Sequence, residues 1–144
     1  MTTEEVKQRI VNEILLRGYD DHYIDHNEER EIVQIAVELG VSVENTLAAL
    51  QQVCDEYHYV LESHINRQIE QQIVAAAGDN GRIGPHDFEQ IFSQIKKLLH
   101  GKKSDRDIKA MIIAVMERTG YNRIKNRWWF GNWYTRLKRE VGLA

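Results

Sequence analysis

The chain contains one pattern twice, and this repeat constrains its fold more than any other feature. Residues 78–91, GDNGRIGPHDFEQI, are similar to residues 18–32, GYDDHYIDHNEEREI, at a separation of 59 positions. A second register of 62 positions follows a three-residue insertion in the loop 100–103. The first register aligns Asp79 with Asp20, Ile83 with Ile24, Asp87 with Glu28 and Ile91 with Ile32, and the second aligns Ser104 with Ser42, Ala110 with Ala48, Val115 with Val53 and Tyr121 with Tyr59. The pattern indicates an internal duplication.

Each copy predicts a helix, a short acidic turn around one isoleucine, and two further helices. Apolar residues recur at helical spacing, and no stretch alternates apolar and polar residues for long. We therefore predict an all-α fold: an internally duplicated helical bundle of two pseudo-twofold-related three-helix units, plus an added C-terminal helix. The expected organisation is a single domain, 1–144, with repeat 1 at about 2–59, repeat 2 at about 60–121 and the C-terminal helix at about 122–144. The one extended segment that we expect is a short pairing of the two turns through Ile24 and Ile83.

Local signals predict the helix boundaries and the core. Asp25 with Glu28, and Ser104 with Asp107, have the spacing of capping boxes, and Ser42 is placed to cap a third helix. Helix 60–77 has isoleucines at steps of four. The predicted inner faces of the later helices are Val43, Leu47, Leu50, Val53 and Cys54, then Phe88, Ile91, Phe92, Ile95 and Leu98, then Ile108, Met111, Ile112 and Val115.

Composition and charge narrow the class of protein. With 42% apolar and 28% charged residues in 144, the chain is typical of a globular domain. Cys54 is the single cysteine. An internal disulfide is thereby excluded, and a reducing, cytoplasmic location is expected. No apolar run approaches the ~20 residues of a membrane helix, so we predict that the chain is not transmembrane. Residues 1–62 carry a balance of −10 and residues 64–144 a balance of +7. Such polarity steers charged partners.

The acidic turns have the spacing of an EF-hand without its ligands. The second copy keeps Gly81, Ile83 and Asp87, but Ala76 and Gly78 occupy the first and third positions, where Ca²⁺ needs oxygens. The first copy has Arg17 in the first position, so we do not expect calcium binding of the EF-hand kind. Four carboxylates of the first turn could hold a weakly bound divalent cation, with His22 and His26 beside them: Asp20, Asp21, Asp25 and Glu28. No cofactor is expected otherwise.

Residues 20–40, DDHYIDHNEEREIVQIAVELG, and the helix from Ser42 to Val53 resemble the TerB-like family linked to tellurite resistance. The shared features are an acidic turn, an isoleucine or valine, and paired acids that open a helix ending in Leu-Gly. His22 stands where that turn usually has glycine. The resemblance implies an all-helical, duplicated bundle. It also implies a metal-associated or stress-related scaffold, often near membranes or in larger assemblies and without known catalysis.

The C-terminal segment is basic and aromatic. Residues 118–139 carry seven Lys and Arg and no Asp or Glu. Residues 126–141, NRWWFGNWYTRLKREV, are predicted to form one helix, with Trp129, Trp133, Leu137 and Val141 aligned at steps of four. That stripe can simply dock the helix on the bundle. The other aromatic and basic side chains are then candidates for partner binding: Arg127, Trp128, Phe130, Tyr134, Arg136, Lys138 and Arg139.

Catalytic signatures are not recognised in the sequence. The segment GDNGRIG lacks the lysine of a phosphate-binding loop, and Cys54 lies on an apolar helical face that favours a buried thiol over a nucleophile. We therefore expect no enzyme but a helical adaptor that binds another macromolecule, a protein first, through the C-terminal segment or the groove between the repeats. The alternatives are a metal-responsive TerB-like stress module, and binding of nucleic acid or an anionic membrane surface through the C-terminal helix.

Overall fold

Helices dominate the computed structural model, which describes residues 2–122, 124 and 132–143. The predicted all-α class is confirmed. The helices are α1 (Thr3–Arg17), α2 (His26–Glu38), α3 (Val43–Tyr57), α4 (Glu62–Ala77), α5 (Pro85–Leu99), α6 (Asp105–Thr119) and α7 (Trp133–Glu140), with a 3-10 turn at Gly78–Asn80 and two short strands, β1 (Tyr23–Ile24) and β2 (Val60–Leu61).

The chain forms two compact units, Met1–His64 and Ile65–Ala144. The boundary lies in the first turn of α4, a few residues after the predicted repeat boundary. It coincides with the change of charge sign, because unit 1 carries 14 Asp and Glu against 4 Lys and Arg, and unit 2 carries 8 against 15. Each unit is therefore a separately packed body with its own charge.

Unit 1 is built from α1, α2 and α3. The N-terminal ends of α2 and α3 are capped as predicted, since Asp25 and Glu28 exchange backbone-to-carboxylate hydrogen bonds of 2.8 and 3.1 Å, and the Ser42 hydroxyl accepts from the Asn45 N–H. β1 pairs in parallel with β2, so Ile24 lies beside Leu61. The core is Ile10, Ile14, Ile24, Ile32, Ala36, Leu50, Val53, Cys54 and Leu61.

Unit 2 is built from α4, α5, α6 and α7. The isoleucines of α4 at steps of four are buried, as predicted, and α5 starts with Pro85 after an extended Gly84. Ile83 pairs in parallel with Ile124. The buried side chains of α5 and α6 are Phe88, Ile91, Ile95, Leu99, Ile108, Ile112, Ile113, Val115 and Met116.

The predicted pairing of the two turns is wrong. Ile24 pairs with Leu61 and Ile83 with Ile124, so each turn pairs with the segment that follows the third helix of its own unit. The reason is proximity: the Val60 N–H donates to the His22 carbonyl at 2.8 Å as soon as α3 ends. The duplication itself and the pseudo-twofold relation stay predictions.

Three further expectations are corrected. Val60 and Leu61, predicted as helix, are extended because they pair with β1. Val43, Leu47 and Leu98, predicted as core, are exposed, and Thr46 is buried in α3 instead. The last helix begins at Trp133 rather than at 126, after a non-helical Asn132. Residues 125–131 lie outside the described part of the chain.

Candidate interaction site

The four acidic residues of the first turn lie around its backbone. Asp21 accepts a hydrogen bond from the Tyr23 N–H at 3.1 Å, and Asp25 and Glu28 cap α2 reciprocally. Asp20 is exposed. Three of the four predicted ligands therefore hold the turn and the start of α2. No group of three or more His, Cys, Asp or Glu within residues 2–122, 124 and 132–143 is arranged to hold a metal ion, and a bound cation stays a prediction.

His22 occupies the position where glycine is usual in the turn of the resembled family. Its backbone φ is 54°, in the left-handed region that glycine adopts most easily. The imidazole stacks on the Tyr59 ring with centroids 5.0 Å apart. The contact offsets part of the cost of this backbone conformation.

The Glu28 carboxyl has a raised pKa, first because of burial and then because of the charges of Asp25 and Asp21. The folded chain thus holds the Glu28 proton more tightly than the unfolded chain, so ionised Glu28 costs stability above pH 4.5 and the cost disappears below it. Glu28→Gln removes the charge but keeps the oxygen that accepts from the Asp25 N–H. We expect it to raise the urea midpoint at pH 7 and to leave it unchanged at about pH 3.

The control for this substitution is Glu28→Ala, which removes the capping oxygen as well and should be less stable than Glu28→Gln by about 1 kcal/mol. Urea unfolding followed by circular dichroism at both pH values measures both variants. A Glu28→Gln midpoint below that of the unchanged protein at pH 7 would contradict the expected sign.

A second acidic group, which the sequence analysis missed, joins β1, α2 and the start of α4. The Tyr23 hydroxyl donates to the Glu62 carboxylate, which also lies 3.6 Å from His26 Nε2. Glu29 accepts from the Ser63 hydroxyl at 2.8 Å. Burial, followed by the bond to Glu62, raises the pKa of Tyr23 well above its usual value, so the phenol stays protonated as a donor. The sequence carries no signal for this group because Glu62 lies 39 positions from Tyr23.

Cys54 is fully buried in α3, as the sequence predicted. Burial, more than the nearby charges of Asp55 and Glu29, raises the pKa of its thiol to about 12. The thiol is therefore protonated at neutral pH and packs as a small apolar group.

The C-terminal helix docks on unit 2 through its predicted apolar stripe. Trp133, Leu137 and Val141 are buried, and the Trp133 ring lies 6.2 Å from the buried Phe88 ring. The α7 end near Val141 meets Arg106 and the α7 start meets Glu117, so α7 runs antiparallel to α6. The stripe is thus confirmed for these three residues, and Trp129 lies outside the described part of the chain.

Tyr134 is not exposed, which corrects the expectation that it points away from the bundle. Only 7% of its surface is exposed, and its hydroxyl donates to Glu117 at 2.8 Å. Lys138 Nζ and Asn122 Nδ2 also donate to Glu117, at 3.1 and 3.0 Å. The helix buries Tyr134 because α6 supplies an acceptor for its hydroxyl, which a sequence pattern alone cannot show.

Loss of the Tyr134 hydroxyl has an expected titration signature. Its hydrogen bond is the first cause of the lowered pKa of Glu117, followed by Lys138 and Asn122, with burial opposing. Because a lowered carboxyl pKa contributes stability above about 4.5 that is lost at lower pH, Tyr134→Phe should cost about 1 kcal/mol at pH 7 and less at pH 3. A carboxyl-carbon NMR titration should show the pKa of Glu117 moving up towards 4.5.

The matched control is Tyr57→Phe, because Tyr57 is exposed in unit 1 and loses the same hydroxyl. It should leave the Glu117 titration unchanged. An unchanged titration in Tyr134→Phe as well would show that the hydrogen bond does not exist in solution.

The predicted binding residues divide into four groups. Arg136 and Arg139 are exposed on α7, with Arg139 opposite the buried stripe and Arg136 at its edge, whereas Lys138 is partly buried beside Glu117. Tyr134 belongs to the packing of unit 2. Arg127, Trp128 and Phe130 lie outside the described residues. The outer face of α7, defined here by Thr135, Arg136 and Arg139, is the part of the predicted site that the described residues present to solvent.

Unit 2 also contains an open groove of about 650 Å³ between α4 and α5. Its polar lining includes the amides of Gln72, Gln90 and Gln94 and the hydroxyl of Ser93. Asp87 at its edge already accepts from the Gly84 N–H at 2.8 Å. These groups supply hydrogen bonds and no activated nucleophile.

Comparisons with known proteins identify no relative of this chain. No family model, curated protein or solved structure matches the chain. The resemblance to the TerB-like family therefore stays a prediction. Among the described residues, no helix combines the length and apolar character needed to cross a membrane.

Proposed function

We propose that this protein is a non-catalytic helical adaptor that binds an acidic protein surface through the C-terminal part of unit 2. The observation that carries the proposal is the division of α7 into two sides. One side is buried on the unit, and the other presents Arg136 and Arg139 to solvent on a body whose charge balance is +7. Arg127, Trp128 and Phe130, which the sequence also predicts for partner binding, lie outside the described residues, and the proposal does not rest on their position.

Three buried titratable groups support structural roles over catalytic ones. Burial keeps the Cys54 thiol and the Tyr23 and Tyr134 phenols in their protonated forms. Each of these groups packs or donates a hydrogen bond within its own unit. A catalytic base or nucleophile would need a pKa moved towards neutrality and access to a substrate.

A protein partner suits this surface better than nucleic acid. Residues 118–139 carry no acidic side chain, but acids elsewhere in unit 2 pair with three of its lysines: Lys96 with Asp105, Lys109 with Glu140 and Lys138 with Glu117. Binding to a phosphate backbone depends on many unpaired cations along a track. A mixed surface with a few projecting arginines fits a partner with discrete carboxylates, because arginine binds carboxylates bidentately.

Charge reversal on the outer face of α7 tests the proposal. The variant Arg136→Glu/Arg139→Glu is compared with Lys97→Glu/Lys102→Glu, which makes the same charge change at exposed positions of the same unit. The probes are a labelled peptide that interleaves Asp and Glu with Leu, a single-stranded oligonucleotide, and vesicles with anionic lipid. Binding is measured by fluorescence anisotropy, or by cosedimentation for vesicles, at about 0.1 M salt.

We expect the α7 variant to bind the acidic peptide at least about tenfold more weakly and the control variant to lose much less. Equal losses in both variants would mean that only the net charge matters, and would overturn the assignment to α7. Preference for the oligonucleotide or the vesicles, with a steep salt dependence, would favour the nucleic-acid or membrane alternative instead.

The metal-responsive TerB-like alternative is tested separately. Calorimetry with Ca²⁺, Mg²⁺ and Zn²⁺ on the full chain should show no tight binding under the adaptor proposal. Tight binding that is lost on changing Asp21, Asp25 and Glu28 would replace the adaptor proposal with the metal one. The single free Cys54 suits the reducing cytoplasm in which the adaptor is proposed to act.

A further inference from the structure

Unit 1 exposes apolar side chains on both α2 and α3. Val37, Val43 and Leu47 are 47%, 49% and 38% exposed, and Val33 is partly buried. Val33 and Val37 are one helical turn apart on α2, and Val43 and Leu47 are one turn apart on α3, so each pair lies on one helical face. We call these four residues the α2–α3 face.

The opposite side of the same two helices is covered by α1. The core residues Ile10 and Ile14 of α1 pack with Ile32, Ala36 and Leu50. An open groove of about 480 Å³ lies between α1 and the α2–α3 turn. It is lined by Val6 of α1, by Leu39 at the end of α2 and by Ala49 of α3. The α2–α3 face is therefore a second flank, which the packing of unit 1 leaves uncovered.

The sequence repeat aligns the four residues of this face with four residues of unit 2, one of which contacts α7. The registers of 59 and 62 align Val33 with Phe92, Val37 with Lys96, Val43 with Asp105 and Leu47 with Lys109. Lys109 Nζ lies 5.2 Å from the centre of the Phe92 ring and 3.0 Å from Glu140 of α7. Ile113, which aligns with Gln51, is buried to 1% exposure. Unit 2 thus places α7 beside Lys109, the counterpart of Leu47. Lys96 and Asp105, the counterparts of Val37 and Val43, are exposed and pair with each other at 2.9 Å.

We propose that the α2–α3 face of unit 1 binds a basic amphipathic helix of a partner protein, with an apolar stripe like that of α7. Exposed apolar side chains that lie together on a surface mark interaction sites, and Val37, Val43 and Leu47 are the candidates in unit 1. An amphipathic helix laid in an apolar groove is a common recognition mode. This site lies on the other unit from the α7 surface and does not depend on the adaptor proposal.

Charge complementarity determines the chemistry of the occupant. Unit 1 has a balance of −10, and the exposed carboxylates of Glu38, Glu44 and Asp55 lie on the helices that form the face. Arg30, one turn before Val33, is the exception on α2 near the face. Lys and Arg on the flanks of the bound helix would meet mostly negative charge. The repeat supports the same pattern, because α7 itself is basic.

A second copy of this chain is the less suitable occupant. Its α7 already buries Trp133, Leu137 and Val141 on its own unit, so that stripe would have to undock before binding elsewhere. Among the described residues, α7 is the one basic helix with such a stripe, and it is already bound to unit 2. A helix supplied by another protein needs no such rearrangement.

The test uses a labelled peptide with the sequence of residues 132–143, NWYTRLKREVGL, titrated with the full chain. The binding variant is Val37→Glu/Leu47→Glu. The matched control is Val74→Glu/Leu98→Glu, which makes the same change at 44% and 38% exposed apolar positions of unit 2. Circular dichroism and urea unfolding show whether each variant is folded. Glu44→Lys is a second binding variant, because it changes the charge beside the face and leaves the apolar residues in place.

We expect the peptide to bind the unchanged chain and the control with similar affinity, and to bind Val37→Glu/Leu47→Glu at least about tenfold more weakly. Glu44→Lys should weaken binding at low salt and have less effect at high salt. A peptide with Leu137 and Val141 replaced by Glu should not bind. Equal binding by the Val37→Glu/Leu47→Glu variant, or no binding to the unchanged chain up to about 1 mM peptide, would overturn the proposal. Dimerisation of the chain in sedimentation analysis, abolished by Val37→Glu/Leu47→Glu, would make a second copy the occupant and overturn it as well.

Discussion

Replacement of Phe88 by alanine is expected to lower the free energy of unfolding of unit 2 by about 3–5 kcal/mol. Phe88 is 1% exposed and is the largest of the fully buried side chains. Its ring contacts that of Trp133 at 6.2 Å between centroids, which holds the start of α7 on the unit. The substitution therefore leaves a cavity and also removes the support of the helix that carries the proposed binding face.

Tryptophan fluorescence can follow this loss in unit 2 alone, because all three tryptophans are at positions 128, 129 and 133. Urea unfolding of the full chain should show an earlier fluorescence transition, with the m-value checked for a change in cooperativity. Phe92→Ala is the matched control, since the same ring is only partly buried there and lies beside Lys109. Phe92→Ala should lower the free energy of unfolding clearly less than Phe88→Ala. A loss below about 1 kcal/mol in Phe88→Ala would contradict the burial of this ring.

Addition of a single methyl group at Gly18 is expected to cost about 1–3 kcal/mol in unit 1. A Cβ at this position would lie 2.3 Å from Cε2 and 2.4 Å from Cδ2 of Tyr59. The Tyr59 ring cannot move aside cheaply, because it stacks on His22 and its hydroxyl donates to the Leu15 carbonyl at 3.4 Å. The backbone of Gly18 has φ −90°, which any residue adopts, so the cost arises from the clash alone.

A double-mutant cycle separates this clash from other effects of the substitution. On a Tyr59→Leu background the ring is absent, and Gly18→Ala should cost little or nothing. Circular dichroism and amide hydrogen exchange of α1 and β1 report on unit 1 directly. Gly18→Ala that is equally costly with and without the Tyr59 ring would show that this contact is not the cause.

Local features of this protein followed from the sequence because they depend on neighbouring residues. The caps of α2, α3 and α6, the isoleucines of α4 and the stripe of Trp133, Leu137 and Val141 all form within a few turns of one helix. Hydrogen bonds between residues three or four apart, and the helical period, are enough to predict them. The all-α class followed for the same reason.

The candidate sites were predictable only in part. The sequence located a basic C-terminal helix and named Arg136 and Arg139, which are exposed. It could not show that Tyr134 turns inward to Glu117, 17 positions earlier, or that Val43 and Leu47 lie on a flank without a covering helix. In the sequence, the buried and the exposed apolar residues of a helix look alike. Only the position of neighbouring elements shows which of them are covered.

The sequence by itself determined which segments of this chain become helices, where most of them start, and how charge divides between the two ends. Only the tertiary structure decided that Ile24 pairs with Leu61 and Ile83 with Ile124, and which apolar faces are covered. Helices and their caps depend on hydrogen bonds between residues that are three or four positions apart in the sequence. Strand pairing and burial depend instead on which distant segments meet. Any partner that excludes water stabilises an apolar surface, so the residues of that surface do not specify which partner covers it.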